Sequence, residues 1–438
     1  MGTVKAFLDK TPDCRPPGRT LATTPGLVAV VSLLATLAAA DSEFQVNSTT
    51  LDYQGLPAIS HDSSGNYIIS WTSGPFDSSH VIAQRFSSGA VPIGTEFQIN
   101  SSTDSFFCCT QVSHNSVGGF VVAWMAFDLL APITKILARR FDSSGAGLGP
   151  EFQVNMHSPD YETYPQISHD SAGGFVVVWS RREDSSRRDI FGQRFDSLGA
   201  PQGVEFQVNS STPLNQEAPA ISRDPAGGFA VVWQSDSYSQ SLSWDVLGQR
   251  FSDSATPVGP EFQVNLFTTF SQQHPDVSHD LLGNFVVVWQ SQGQDGSLPG
   301  IFGQRFDSLG GRLGGEFQVN AFTLTYQTNP AVSHGAEGGF VVAWQGLYQD
   351  GNDWGVFAQQ FDSSGARVGT ETQVNQHTPY EQLHAAVSHG AGGDLVIAWE
   401  SDRQDGSGFG VFARSFATGL VTGPAKSGGS RLRTFRRD

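Results

Sequence analysis

Apolar and polar residues alternate with a period of two in short stretches along most of the chain, and these stretches come in sets of four. In one set, Glu261 to Asn265 places Phe262 and Val264 on one side and Glu261, Gln263 and Asn265 on the other, as a half-buried strand requires. Pro275 to His279 is a second strand signal. Phe285 to Trp289 is nearly all apolar and β-branched, which predicts a strand covered on both faces. The fourth, Ile301 to Phe306, sets Phe302, Gln304 and Phe306 against Ile301, Gly303 and Arg305. His279-Asp280-Leu281-Leu282-Gly283 and Asp307-Ser308-Leu309-Gly310-Gly311 separate neighbouring strands. Asp accepts backbone hydrogen bonds and Gly adopts positive φ, so both segments predict compact hairpins. After residue 42 no segment has the 3.6-residue apolar period of a helix.

The set recurs seven times. Glu43-Phe44-Gln45-Val46-Asn47 returns with small changes from Glu96, Glu151, Glu205, Glu261, Glu316 and Glu371, in steps of 53, 55, 54, 56, 55 and 55 residues. Trp71, Trp124, Trp179, Trp233, Trp289, Trp344 and Trp399 advance by the same steps. Two landmarks with one set of spacings mark a structural repeat. Four antiparallel strands in a unit of this length form a propeller blade, whose apolar faces are hidden only against neighbouring blades. The seventh unit has no Glu-Phe-Gln-Val-Asn strand after Phe412 and Phe416, whereas residues 43–47 form an unpartnered copy. An all-β, seven-bladed β-propeller is therefore predicted over residues 43–424, with the first strand completing the last blade so that no edge is left open.

In such a ring the connections after the Asn265-type and Trp289-type positions share one face, and these vary between units. They carry Tyr53, Tyr161, Tyr164, His274, Tyr326, His377, Tyr380 and His384, and then Trp244, Asp245, Trp354 and Phe409. Aromatic rings beside acids and amides suit recognition of a glycan or a protein, and Tyr53, Tyr161, Tyr164, Trp244, Asp245, Tyr326, Trp354, Tyr380 and Phe409 are the candidate ligand-binding residues. Asp295-Gly296-Ser297, Asp350-Gly351-Asn352-Asp353 and Asp405-Gly406-Ser407 offer oxygen ligands in glycine-containing loops. Calcium is the metal that Asp295, Asp350, Asp353 and Asp405 would suit, with ordinary turns as the alternative. No cofactor is required by any motif present.

Other recurrent residues are assigned to structure: the seven tryptophans, and His61, His114, His169, His279, His334 and His389, each preceded by Ser. Neighbours on a strand point to opposite faces, so Ser and His there do not form a catalytic pair. Arg85, Arg140, Arg194, Arg250 and Arg305 also recur, and pairing with a nearby strand Glu is expected. Asn47, Asn100 and Asn209 formally match glycosylation acceptors.

Composition narrows the setting. The formal net charge is −17, a field that repels nucleic acid and anionic membranes. Lys5, Lys10, Arg15 and Arg19 precede an apolar stretch ending in Ala38-Ala39-Ala40. Residues 1–42 therefore predict a signal peptide, with an uncleaved anchor over Leu21 to Ala40 as the alternative, and a secreted or cell-surface protein. Residues 425–438 predict a basic disordered tail. Adjacent Cys108 and Cys109, with Cys14 in the leader, make no disulfide framework.

The Glu-Phe-Gln-Val-Asn, Gly-Gly-Phe-Val-Val-Val-Trp and Ile-Phe-Gly-Gln-Arg-Phe-Asp strings resemble the repeats of large secreted bacterial β-propeller proteins, most of them uncharacterised, over roughly residues 43 to 416. The resemblance implies architecture and not a function. With no singular catalytic cluster in the spacing, the expectation is a non-catalytic extracellular scaffold that binds a glycan or protein. The alternatives are a self-assembling surface protein and a polysaccharide-active hydrolase or lyase, whose acid pair would lie among the variable loops.

Overall fold

The β-branched runs that end in the recurrent tryptophan become the second strand of each sheet, sandwiched between two neighbouring sheets. Val286, Val287, Val288 and Trp289 are 0% exposed, as is every tryptophan of the series. The computed structural model describes residues 42–75, 78–101, 105–128, 133–156, 161–183, 187–210, 215–236, 243–417 and 419–420. The predicted leader up to residue 41, with Cys14, and the basic tail lie outside the described residues.

The described residues form 28 strands, β1 to β28 in chain order, in seven four-stranded antiparallel sheets. No helix among them is long and apolar enough to cross a membrane. The first strand of each blade is innermost: β2 (Gln54–His61), β6 (Ser105–His114), β10 (Glu162–His169), β14 (Gln216–Arg223), β18 (Gln272–His279), β22 (Gln327–His334) and β26 (Gln382–His389). Each packs against the next around the axis, and β26 returns to β2. Blades 1 to 6 begin with β2, β6, β10, β14, β18 and β22.

Blade 7 consists of β26, β27 (Leu395–Asp402), β28 (Phe409–Phe416) and β1 (Glu43–Gln45). Phe44 lies opposite Ala413, and the Val46 N–H donates to Val411 O at 2.8 Å. The predicted closure is present, and the ring has no open seam.

Motif residues tie each blade to the next. The strand-four Glu accepts a backbone N–H from the preceding blade, as in Ser101 to Glu151 and Ser210 to Glu261, both 2.8 Å. At the closure Gln376 N–H donates to Glu43 at 2.5 Å. Ser60, Ser113, Ser278 and Ser333 each accept an N–H of the next blade's inner strand, as in His334 to Ser278 at 3.0 Å and His389 to Ser333 at 3.1 Å, while Ser388 Oγ lies 2.9 Å from His61 Nδ1. The histidine rings are packed beside the aromatic residue that starts strand two; His279 lies 5.1 Å from Phe285 and His114 lies 5.4 Å from Phe120. Burial pushes His114, His279, His334 and His389 down to about 4 and His169 to about 3.

The arginines correct an expectation. They do not pair with strand glutamates: Arg250 donates to Leu309 O and Ser308 O of the next blade's hairpin at 2.5 and 2.6 Å, and Arg85, Arg140 and Arg305 repeat the arrangement. A guanidinium fork matches two successive carbonyls of a turn as well as it matches a carboxylate. That turn needs its glycine: Gly310 has φ 87°. The glycosylation matches also fall. Asn47, Asn100 and Asn209 are 2–3% exposed, and their side-chain oxygens accept the N–H groups of Val411, Val81 and Ile190 at 2.7–2.8 Å.

Candidate functional site

Every inner strand is interrupted at the same level, near the variable face. Between Gln273 and Asp276 of β18 the register shifts, and the same bulge occurs in all seven blades. The bulged residues are Leu56, Cys109, Tyr164, Ala218, His274, Asn329 and His384, each with φ between 49° and 58°. Non-glycine residues held in the left-handed region are strained, and the surroundings must hold them there. Their backbone N–H groups supply part of that restraint. His274, Asn329 and His384 donate to Gln234, Gln290 and Gln345 of the preceding blade, at 3.0, 3.3 and 3.0 Å. Each inner strand ends alike, in Ile or Val, Ser and then His or Arg, whereas the bulge position runs from Leu to Tyr to His. The ring thus repeats a scaffold and varies what it presents.

Two of the polar members meet across a seam. His274 Nδ1 lies 2.6 Å from Asn329 Oδ1 in the next blade. At the seam between blades 7 and 1 the residue after the tryptophan, Gln in blades 4 to 6, is Glu400. Its side chain is 0% exposed. Oε2 accepts the Leu56 N–H at 2.7 Å and the Tyr53 hydroxyl at 2.8 Å, and Oε1 lies 2.9 Å from His384 Nδ1. Burial alone would raise this carboxyl, but His384, the Leu56 N–H and the Tyr53 hydroxyl hold it below its ordinary value. Burial first, and then Glu400, push the Tyr53 hydroxyl well up, so it stays a donor. A carboxylate at Nδ1 requires that nitrogen to carry a proton, which leaves Nε2 as the nitrogen that can gain or lose one. The His384 side chain is 21% exposed, so this seam connects a fully buried anion to solvent through an imidazole.

A second carboxyl stands beside it with the opposite shift. Glu381, half-buried just before β26, is raised by burial and by Asp353, Asp402 and Glu400, with His384 opposing. Its backbone oxygen accepts the Asp402 N–H at 2.8 Å. The variable face of blades 5 to 7 also exposes aromatic rings that the core does not need: Phe270 57%, Tyr326 41%, Tyr348 61% and Tyr380 46%. Phe270, Tyr348 and Tyr380 have φ of 61°, 55° and 62°.

Of the candidate ligand-binding residues, Tyr53, Tyr326 and Tyr380 belong to this neighbourhood. Phe409 is 8% exposed and packs on Tyr53, with ring centroids 6.0 Å apart. Tyr161 and Tyr164 lie on blade 3, where the Arg182 guanidinium sits 3.9 Å from the Tyr161 ring centroid. Trp244 and Trp354 are half-buried strand residues opposite Asp236 and Leu347, in blades 4 and 6, and they do not meet. Asp245 accepts from the buried Asn265 amide at 2.7 Å. Asp350 and Asp405 serve the equivalent Asn375 and Asn47 from a loop, both at 3.4 Å, while Asp295 accepts from Gln318 at 3.3 Å. The other oxygen of each of these three takes a turn N–H two residues on, at 3.0 Å. Asp353, half-buried, adds its charge to Glu381. The calcium candidates thus sit in three separate blades, and among the described residues no group of three or more His, Cys, Asp and Glu could hold a metal ion. Cys108 is a buried free thiol raised by desolvation.

Glu400, Glu381, Phe270 and Tyr348 were not singled out from sequence. The signal for Glu400 was present: the residue after the recurrent tryptophan is Thr72, Met125, Ser180, Gln234, Gln290, Gln345 and then one acid.

No protein-family model matches the chain, and no curated protein matches it. Solved structures do. A Penicillium chrysogenum α-L-arabinanase complexed with arabinobiose has a TM-score of 0.52 at 14% identity, covering 74% of this chain and 97% of that one. A polysaccharide lyase, an ulvan lyase bound to a glucuronate and sulfated-rhamnose fragment, has a TM-score of 0.52 at 11% identity, covering 86% and 94%. A protein of unknown function from Dyadobacter fermentans has a TM-score of 0.54 at 9% identity, covering 85% and 96%. At these identities the likeness is one of fold. The expectation of a non-catalytic recognition scaffold is overturned in favour of its enzymatic alternative, since similar structures with a named activity include this arabinanase and this polysaccharide lyase.

Proposed function

We propose that the chain is a polysaccharide-processing enzyme, a glycan hydrolase or lyase, working at the variable-face mouth between blades 7 and 1. The observation that carries this reading is the buried Tyr53–Glu400–His384 constellation. In blades 5 to 7 the bulge is held by a neutral Gln, so the ring does not need a charge at that place. Burying a carboxylate costs several kcal/mol unless it is fully paired. A single blade that accepts this cost, and aims the carboxylate at a partly exposed imidazole, has the makings of a proton-transfer site. Glu400 orients His384 and stabilises the imidazolium that forms when Nε2 takes a proton, as a carboxylate does behind any catalytic histidine. Both candidate reactions, hydrolysis and elimination, need such a group. The exposed rings of blades 5 to 7 supply flat apolar surfaces against which a sugar ring can lie, and similar folds carry polysaccharide chemistry in the arabinanase and the ulvan lyase.

Glu400→Gln tests this directly. Gln at this position keeps an oxygen for the Leu56 N–H, as Gln234, Gln290 and Gln345 do for their own bulges, so the fold is expected to persist. The variant should lose a factor of about 10² to 10⁴ in kcat on whichever polysaccharide the wild type cleaves, with an unchanged circular dichroism spectrum. Full activity in the variant would remove His384 and Glu400 from the chemistry.

A further inference from the structure

Resting on that reading, we infer that the substrate is a linear polysaccharide held by a track of aromatic rings that leads to the seam between blades 7 and 1: Phe270 on blade 5, Tyr348 on blade 6 and Tyr380 on blade 7. The rings come from two positions in the repeat. Phe270 and Tyr380 stand two residues before the inner strands β18 and β26. Tyr348 stands four residues after its tryptophan, where blade 5 has Gly293 and blade 7 has Arg403. The two positions share one place in the blade. A side chain at Gly293 would start 3.1 Å from the Phe270 ring, and the Arg403 guanidinium lies 4.8 Å from the Tyr380 ring centroid. In blade 6 the position before the strand is Thr325, and the ring comes from the other side of this place, as Tyr348. Tyr326 stands beside it, its carbonyl accepting the Leu347 N–H at 2.9 Å. Each of the three blades thus keeps an exposed ring here, although the position that supplies it changes.

The backbone beneath the rings is strained and braced. Phe270, Tyr348, Tyr380 and Arg403 have φ between 55° and 62°, in the left-handed region that Gly293, with φ 74°, occupies without penalty. Glycine would serve a plain turn better, and the exposed rings cover no core. Strain kept without a gain in burial points to use at the surface. The residue after Gly293, Tyr348 and Arg403 is always Gln. Gln294 donates to Glu316 at 2.8 Å, Gln404 to Glu43 at 2.5 Å, and Gln349 to Glu371. Rings on loops tied down in this way lose little freedom when a ligand arrives.

The arrangement fits a polymer of repeating units. Neighbouring sheets pack about 10 Å apart, so rings at one place per blade recur with a fixed step. A linear glycan meets such a series with the same face of successive units, whereas the surface of a folded protein partner has no period to match it. The loops between the rings offer amides and hydroxyls, as in Gln294-Asp295-Gly296-Ser297 and Gln349-Asp350-Gly351-Asn352. A sugar lays its C–H face on a ring while such groups meet its hydroxyls. Across the seam, blade 1 has Asp52 and Pro75 in the two ring positions. Tyr380 is therefore the seam end of the series: its carbonyl accepts from Gln382 Nε2 at 3.4 Å, and Gln382 begins the strand that carries His384. A chain cleaved at the seam reaches Tyr380 first, Tyr348 next and Phe270 last.

Binding is measured by isothermal titration with the full-length Glu400→Gln variant, and cleavage with the wild type. The probes are linear arabinan, xylan, polygalacturonate and ulvan, followed by the dimer-to-octamer series of the polymer that binds. Affinity is expected to climb with chain length. In the Glu400→Gln background, Phe270→Ala and Tyr348→Ala should each weaken polymer binding about 5-fold and flatten that climb, Phe270→Ala at greater lengths than Tyr348→Ala. Tyr380→Ala should weaken every length, and Phe270→Tyr should restore the climb. Affinity that ignores chain length, or that climbs equally in Phe270→Ala and Tyr348→Ala, overturns the track and leaves the enzymatic reading standing. Length-dependent binding without cleavage by the wild type overturns the enzymatic reading and keeps the track. Binding of none of the four polymers by the folded protein overturns both.

Discussion

At the scale of single residues, the protein separates what it repeats from what it varies by one left-handed position per blade. Leu56, Tyr164, His274, Asn329 and His384 occupy the same strained backbone place, so their differences are not dictated by the fold. Exposed rings follow the same logic. Tyr326 and Tyr380 are 41% and 46% exposed, and removing either uncovers no core. Each ring is expected to contribute about 1 kcal/mol of stacking to a bound sugar. Tyr326→Ala and Tyr380→Ala should therefore each raise KM about 5-fold and leave kcat within about 2-fold, as uniform binding losses do. Steady-state kinetics on the polymer cleaved by the wild type decide it, and an unchanged KM in both variants would place the substrate elsewhere. Tyr53 behaves differently, because its hydroxyl feeds Glu400 at 2.8 Å; it belongs with the proton-transfer groups and not with the rim.

At the scale of elements, the blades were legible because burial imposes its own periodicity. Val286 to Trp289 could be nothing but a covered strand, and the unpartnered copy at residues 43–47 could be satisfied only by the unpartnered edge at Val411 to Phe416. The Arg250 contact was hidden for the opposite reason: its partners are main-chain carbonyls at Ser308 and Leu309, and a backbone oxygen leaves no trace in residue identity. The contacts of the loop acids were hidden in the same way. Asp295, Asp350 and Asp405 spell a ligand-like string, and in the folded chain each accepts from a turn N–H and from a side-chain amide. Glu381 and His384 become neighbours of Glu400 only once β26 lies beside β27, which no local spacing reveals. Closure itself can be tested. Deleting residues 43–47 removes the Val46 to Val411 hydrogen bond, the Asn47 side-chain bond to Val411 and the Glu43 links to Gln376, and exposes the edge of β28. With about 2–4 °C per kcal/mol in a domain of this kind, the melting temperature is expected to fall by roughly 10 °C or more. A truncated chain that melts with the parent would mean that the ring holds without its first strand.

At the scale of the whole molecule, the seams between blades set a pH limit. His114, His279, His334 and His389 are held down to about 4 and His169 to about 3 by burial, against about 6.5 in an unfolded chain. Between those values the unfolded state binds protons that the folded state refuses, so stability rises with pH across the window and is lost as pH falls from about 6.5 through about 4. Carboxyls raised by burial work against the trend, Asp276 and Glu162 most strongly. Burial raises Asp276 to about 6 and Glu162 to about 9, so near pH 5 the folded state keeps two protons that the unfolded state has mostly given up. The five histidines outweigh these two carboxyls, so the balance near pH 5 is proton uptake on unfolding and a stability that falls as the pH falls. Urea midpoints at pH 7 and pH 5 should therefore differ strongly, with the lower value at pH 5. Equal midpoints would mean that the histidine rings between the blades already carry their protons in the folded ring, and that the packing of His279 on Phe285 is looser than 5.1 Å implies.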